Sequence, residues 1–357
     1  MGMAEPYHYR DPGVVARHPN NPILTNENVP YPSTLVYNAG VVRFGDRYVM
    51  VFRNDFGFAS DRVGHKFESI NLGLATSADG IEWEVHPRPV LEELKSPENI
   101  WAYDPRLSVI DGRCYLSFCL DTRHGMRAGI AVTDDLESFD LISLSGPDLR
   151  NVVLFPEKVQ DHYVRLERPF PIYLRRTWGE VDRFDIWISD SPDLVHWGNT
   201  DLLLTVEQVP FANEKVGPGP PPVKTDRGWL TIFHAVDVDA ERGKAGWEDI
   251  WTKRYTAGVM LLDLDDPHRV VGLSPEPLMV PTATYEMEGF RNQIIFPTGL
   301  ILETDGELKI YYGAADSVIC LGTADLDTLL DRCVAQVEQT SVQGSVSGSL
   351  AHQHLSP

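Results

Sequence analysis

Asp104 stands in the run Trp101-Ala102-Tyr103-Asp104-Pro105-Arg106, a carboxylate directly before a proline and an arginine. Pro105 disfavours helix at the residue before it, so the sequence predicts an extended or turn conformation at Asp104. A carboxylate fixed in that way can deliver a proton, although a turn aspartate capping its own backbone has the same local signature. The cations Arg150, Arg168, Lys215 and His234 give the chemical reading its substance. Around one funnel they would bind an anion by charge-assisted hydrogen bonds, the arginines offering forks that match phosphate oxygens. Taken singly, an arginine at a strand end is more often paired with a rim carboxylate. The argument for a common site is their recurrence at equivalent places in a repeat.

The elements that would position these residues recur five times. A Gly/Asp turn followed by an alternating aromatic and aliphatic strand appears at R-F-G-D-R-Y-V-M-V-F-R (43–53), V-I-D-G-R-C-Y-L-S-F-C (109–119), K-V-Q-D-H-Y-V-R-L-E-R (158–168), K-T-D-R-G-W-L-T-I-F-H (224–234) and E-T-D-G-E-L-K-I-Y-Y-G (303–313). Period-two alternation after such a turn is a hairpin signature. A second motif, a small polar turn leading to an aromatic, recurs at 76–84, 133–140 and 189–198. It returns more loosely at 263–271, and 323–330 reads as its helical last version. Each would join the two outer strands of a four-stranded sheet. The fold class read from this is all-β, a five-bladed β-propeller; a pair of β-sandwiches is the competing architecture. In a propeller the strand ends and loops of one face converge on the central channel. Strand ends then supply Arg53 with Asn54 and Asp55, Cys119–Asp121, Arg168, His234 and Asp316. Loops opening the blades supply Asn38, Asp104, Arg150 with Asn151, and Lys215.

Composition limits the partners. The 357 residues carry 31 Lys and Arg against 52 Asp and Glu, a formal charge of −21, which argues against nucleic acid. Hydrophobic and charged fractions of 43% and 23% are those of a globular protein. Cys114, Cys119, Cys320 and Cys333 read as free thiols of a reducing compartment, with a Cys114–Cys119 disulfide as the alternative. The first residues lack the apolar core of a signal peptide and no apolar run approaches a membrane span, so a cytoplasmic protein is expected. No metal-ligand, nucleotide or serine-nucleophile motif occurs, and no metal or cofactor is expected. Trp101, Tyr103, Trp178, Trp247, Trp251, Tyr255 and Tyr285 are read as loop aromatics, suited to stacking on sugar rings or to packing blade on blade. Residues 1–20 are expected to be an extension, 21–333 the propeller, and 334–357 a Ser/Gly/Gln-rich disordered tail.

The order and spacing of several short motifs are similar to the mannoside phosphorylases of glycoside hydrolase family 130, nearest their mannosyl-glucose branch. They include N-P-I-L (21–24), V-F-R-N-D (51–55), A-Y-D-P-R (102–106), R-N-V-V-L-F-P (150–156), L-E-R-P-F (166–170), K-V-G-P-G-P-P (215–221) and Y-Y-G-A-A-D (311–316). The resemblance spans about residues 20 to 333 and implies a five-bladed propeller. It also implies that Asp104 is the sole catalytic acid, protonating the glycosidic oxygen through the mannosyl 3-hydroxyl while inorganic phosphate attacks the anomeric carbon. The product would be α-mannose 1-phosphate. An inverting glycosidase needs a second carboxylate roughly 6.5–9.5 Å away to activate water; phosphate, already a nucleophile, replaces it.

By the same resemblance Arg150, Asn151, Arg168 and His234 would hold phosphate, with Lys215 and Tyr255 near it and near the sugar. Asn38, Arg53, Asp55 and Asp316 would shape the sugar subsites. The insertion at 241–254 departs from the family spacing and could close over the acceptor, and Arg62 is a further candidate. The implied partners are a β-mannoside and inorganic phosphate, and the resemblance leaves room for a homo-oligomer. Three rivals stand beside it: a mannoside hydrolase on the same fold, which would lack the basic cluster; a three-carboxylate furanosidase; and a non-catalytic sugar-binding propeller.

Overall fold

The computed structural model describes residues 9–58, 67–171, 183–242 and 251–335. After a short strand, β1 (Ala16–Arg17), the chain builds its first blade from β2 (Leu35–Phe44), β3 (Arg47–Phe56), β4 (Ser69–Ser77) and β5 (Glu84–Val85). The second blade is β6 (Asn99–Ile110), β7 (Arg113–Thr122), β8 (Gly125–Thr133) and β9 (Asp140–Leu144). The third is β10 (Leu149–Leu154), β11 (Tyr163–Pro169), β12 (Ile186–Ser191) and β13 (Gly198–Leu204). In the fourth, β14 (Lys215–Pro218) and β15 (Val223–Thr225) both pair with β16 (Gly228–Val238), which is followed by β17 (Lys253–Leu262) and β18 (Val270–Leu273). The innermost strand is split there because the intervening Gly219–Pro222 run offers almost no N–H donors to a ladder. The fifth blade holds β19 (Ile295–Leu302), β20 (Glu307–Ala314) and β21 (Val318–Asp325), preceded by the one-turn helix α1 (Thr284–Met287).

The five-bladed propeller read from the repeats is the fold observed, and all five hairpin motifs join an innermost strand to its neighbour. The second motif is an aspartate-centred turn. Asp79, Asp135, Asp193 and Asp263 each accept two backbone N–H bonds from residues two and three further on. In the fifth blade Asp325 instead caps helix α2 (Leu326–Arg332) through Thr328 N–H, which is why the last version is helical.

The expected ends of the propeller need correction. β1, inside the supposed extension, is the outermost strand of the fifth blade, Ala16 pairing with Thr323. Arg17 locks it by donating to the buried Glu286 at 2.7 Å. At the other end β22 (Val334–Ala335) adds to β18; residues 336–357 of the supposed tail lie outside the described residues. The disulfide alternative also fails. Cys114 and Cys119 are free and sit five residues apart on one strand, a separation of about 16 Å.

Apolar seams lie between neighbouring blades. Val49 and Leu72 meet Leu107 and Phe118, Leu166 and Ile188 meet Trp229 and Phe233, and Ile232 and Val259 meet Ile310. Each such side chain, fully buried, stabilises the ring by about 1.5–3 kcal/mol. Among the described residues no helix is long and apolar enough to cross a membrane.

Candidate active site

The innermost strands do not run straight. Register shifts interrupt β2 between Tyr37 and Gly40, β6 between Tyr103 and Arg106, and β10 between Arg150 and Val153. At these bulges Asn38, Asp104 and Asn151 adopt φ of 52°, 51° and 55°. Asn and Asp tolerate this left-handed region better than most residues, and a bulge re-aims the side chain that occupies it. Three blades therefore deliver a polar side chain to the channel by one device. One sequence reading is narrowed here and another corrected. Of the two conformations expected at Asp104, extended or turn, the extended one is ruled out by its left-handed φ, and these residues lie within strands rather than in blade-opening loops.

The bulges open onto a cavity of about 220 Å³. Of the residues proposed from sequence, Asn38, Arg53, Asp104, Arg150, Asn151, Arg168, Lys215, Tyr255 and Asp316 line it. Asp55 and His234 stand directly behind, Asp55 gripping Arg53 and His234 contacting Arg168. Arg62, Trp178 and Trp247 lie outside the described residues. So does most of the 241–254 insertion, whose C-terminal end contributes Trp251 and Lys253 to the wall. Of the supposed loop aromatics, Trp101 and Tyr103 belong to β6, Tyr255 to β17 and Tyr285 to α1, so only Trp251 among those described lies in a loop. Sequence reasoning missed Tyr37, Lys253, Arg291 and Phe296. A signal for Arg291 existed, since Phe290-Arg291-Asn292 echoes Phe52-Arg53-Asn54.

Asp104 is the pivot of the cavity. Its Oδ1 accepts from Asn38 Nδ2 at 2.9 Å and faces Arg53 Nη1 at 3.5 Å; its Oδ2 accepts from Arg150 Nη2 at 3.2 Å. Burial alone would raise its pKa, but the Arg53 and Arg150 guanidiniums and the Asn38 bond hold it down to about 2. The surrounding guanidiniums therefore keep Asp104 ionised. Arg53 forks onto Asp55 with two 2.7 Å bonds, and Tyr37 donates to the same carboxylate at 2.8 Å. Both Arg53 and Arg150 lie over the Tyr103 ring, at 5.0 and 5.6 Å. Arg291 pairs with Asp316 at 3.0 Å; burial still leaves the Asp316 carboxyl above its ordinary range.

The opposite wall is differently charged. Arg168 Nη1 meets His234 Nε2 at 3.1 Å, so that nitrogen must accept and the proton sits on Nδ1, which is buried without a partner among the described residues. Burial and the neighbouring Arg168 hold His234 well below its usual pKa, hence neutral. Burial and Arg168 likewise push the Lys215 amine down to about 7, with its nearest carboxylate, Glu214, at 3.7 Å. His234, Tyr255 and Trp251 form a ladder of nearly parallel rings at 6.1 and 6.0 Å. Six cations line the cavity against Asp104 and Asp316, with Asp55 and Glu214 just behind. With Lys215 protonated, these described residues carry a surplus of two positive charges, what a phosphate dianion would neutralise. Among the described residues no cluster of His, Cys, Asp and Glu is arranged to hold a metal ion.

A family model described as beta-1,4-mannooligosaccharide phosphorylase, glycoside hydrolase family 130, matches residues 13–335. The beta-1,4-mannooligosaccharide phosphorylase of Ruminococcus albus is 30% identical over 329 residues, covering 89% of this chain and 90% of that protein. The 1,2-beta-oligomannan phosphorylase of a Thermoanaerobacter species is 32% identical over 253 residues, covering 70% and 76%. Among solved structures, the beta-1,2-mannobiose phosphorylase of Listeria innocua superposes with a TM-score of 0.77 at 22% identity, covering 89% of this chain and 99% of that one. That last likeness concerns the fold.

Proposed function

Because the chain belongs to glycoside hydrolase family 130, a family of mannoside phosphorylase enzymes, we propose that it cleaves a β-1,4-mannoside with inorganic phosphate. The mannoside is mannosyl-glucose or a short β-mannan fragment, and the products are α-mannose 1-phosphate and the shortened acceptor. The linkage follows the family model and the Ruminococcus relative. The observation that carries the reaction class is the surplus of positive charge around Arg150, Arg168 and Lys215, beside the Asp104 carboxylate that Arg150 itself holds.

In this reading phosphate sits against Arg150, Arg168 and Lys215, with Asn151 and the His234 ring fixing the arginine wall. A phosphate oxygen forms a bond to the anomeric carbon from one face as the glycosidic C–O bond breaks. The bonding pair leaves on the acceptor oxygen, which receives the Asp104 proton relayed by the sugar 3-hydroxyl. Asp104 ends ionised and is reprotonated from solvent for the next cycle. The low resting pKa of Asp104 becomes part of the mechanism. A bound phosphate dianion neutralises Arg150 and adds negative charge nearby, and both effects raise the Asp104 pKa. Phosphate binding thus shifts the acid toward its protonated form. Tyr255, Asn38, Arg53, Asp55 and Asp316 shape the sugar subsites.

Asp316 favours a second reading. It is another carboxylate in the cavity, and as a base activating water it would make the enzyme a hydrolase. Its ion pair with Arg291 at 3.0 Å occupies the carboxylate that would have to take the proton from water. Incubation with mannosyl-glucose and with β-1,4- and β-1,2-mannobiose, with and without phosphate, decides. Mannose 1-phosphate released only with phosphate is the expected result; equal release of free mannose in phosphate-free buffer refutes it.

A further inference from the structure

Asp104 differs from the other two bulge residues in its C-terminal neighbour. Asn38 precedes Ala39 and Asn151 precedes Val152, whereas Asp104 precedes Pro105. A residue before proline is steered toward extended backbone, yet Asp104 holds φ 51°. Something must offset that preference. The residue two positions on is glycine in the first blade and valine in the third, but an arginine, Arg106, in the second.

Arg106 is 1% exposed and folds back on its own strand. Its Nη1 donates to the Asp104 carbonyl at 3.2 Å and to the Pro105 carbonyl at 3.0 Å. Its Nε reaches the fourth blade and donates to the Gly219 carbonyl at 2.6 Å. The guanidinium also lies 5.5 Å from the Phe296 ring of the fifth blade. That carbonyl is held in place: Gly219 N–H bonds Ile232 O at 3.2 Å, and a Cβ at Gly219 would come within 2.6 Å of the same oxygen. From the first blade, Gly40 packs so closely that a Cβ there would lie 2.8 Å from Arg106 Cα. Backbone on either side thus fixes the arginine and the peptide it grips. No carboxylate is within salt-bridge distance of Arg106 among the described residues, so a buried cation is kept without direct compensation, a costly arrangement.

We propose that Arg106 is a positioning residue, which holds the Asp104–Pro105 peptide in its left-handed bulge and so aims the Asp104 carboxylate into the cavity. The assignment rests on Asp104 being the acid, as proposed above. The test is a cycle of Arg106→Lys and Pro105→Ala, singly and together, read by kcat, phosphate KM and thermal midpoint. Lysine keeps the charge but lacks the planar fork. Arg106→Lys should lower kcat on the order of 10²-fold, the scale of an ångström-level misplacement, with little change in phosphate KM. In the Pro105→Ala background, where the strained preference is gone, the losses of kcat and of thermal midpoint should both shrink. Arg106→Gln, which keeps a planar donor without the charge, should retain more kcat than Arg106→Lys. Unchanged kcat in Arg106→Lys, or strictly additive effects of the two substitutions, overturns the proposal. So does a glutamine variant worse than the lysine one. If the parent enzyme cleaves no mannoside, the function reading fails, while the thermal cycle still tests the clamp.

Discussion

The two walls of one cavity treat their cations in opposite ways. On the side built by the first and fifth blades, each arginine has a carboxylate of its own: Arg53 forks onto Asp55 and Arg291 pairs with Asp316. On the side built by the third and fourth blades, Glu214 is taken by Lys253 at 2.6 Å, while Arg168 leans on a neutral imidazole and Lys215 reaches that same carboxylate only at 3.7 Å. A buried cation already paired presents directed N–H donors with little net charge, which suits hydroxyl groups. A buried cation left short of anions is waiting for one, at a cost in desolvation that its ligand offsets. The location of charge, more than its amount, separates the wall proposed for sugar from the wall proposed for phosphate. Asp104 stands between them, bonded to Asn38 on one side and Arg150 on the other.

The comparison can be broken most directly at its hinge. Asp104→Asn removes the proton donor and should cut kcat by on the order of 10²–10⁴-fold with the fold retained, as followed by mannose 1-phosphate release and circular dichroism. Next in size is Arg168→Ala, which deletes a charge-assisted contact worth about 1.5–3 kcal/mol. Phosphate KM should rise by roughly 10–100-fold, while mannoside KM moves little. If both constants rose together, the two walls would not be separable. The mirror experiment is Asp55→Asn, which frees Arg53 from its fork. It should raise mannoside KM and lower the thermal midpoint, because it leaves a buried guanidinium undercompensated, but it should spare phosphate KM.

The smallest effect concerns pH. Lys215, with its amine at about 7, is charged below that value and neutral above it. Its contribution to phosphate binding should therefore be present at pH 6 and lost as pH rises through 7. Lys215→Arg, which stays charged, should remove that part of the dependence. Comparing phosphate KM of the two proteins from pH 6 to 8 cancels the titration of phosphate itself, and identical profiles would show that Lys215 does not touch the anion.

Much of the site was legible because a propeller converts sequence repeats into spatial neighbours. Once hairpins were found at 43–53, 109–119, 158–168, 224–234 and 303–313, the ends of their strands had to converge, and Arg53, Arg168 and His234 came with them. Arg291 and Lys253 were not legible in the same way, because neither ends a repeated strand. Arg291 comes after α1 and Lys253 opens β17 after an insertion, places the repeat does not index. The ends of the fold were misjudged for a related reason. β1 is two residues long, too short to show alternation, and exists only because β21 presents an unpaired edge to it.

The sequence alone therefore determined the five blades, the polar turns between outer strands and which carboxylate and most of the cations meet in the channel, since these are set by local period and turn chemistry. The tertiary structure decided how Asp104 is aimed, which cations are matched by carboxylates and which are not, and where the excess charge lies. Those properties depend on left-handed bulges and on side chains meeting across blades from positions more than two hundred residues apart, as Arg53 and Arg291 do around Asp316 and Asp104. Alternation along a single strand carries no record of either.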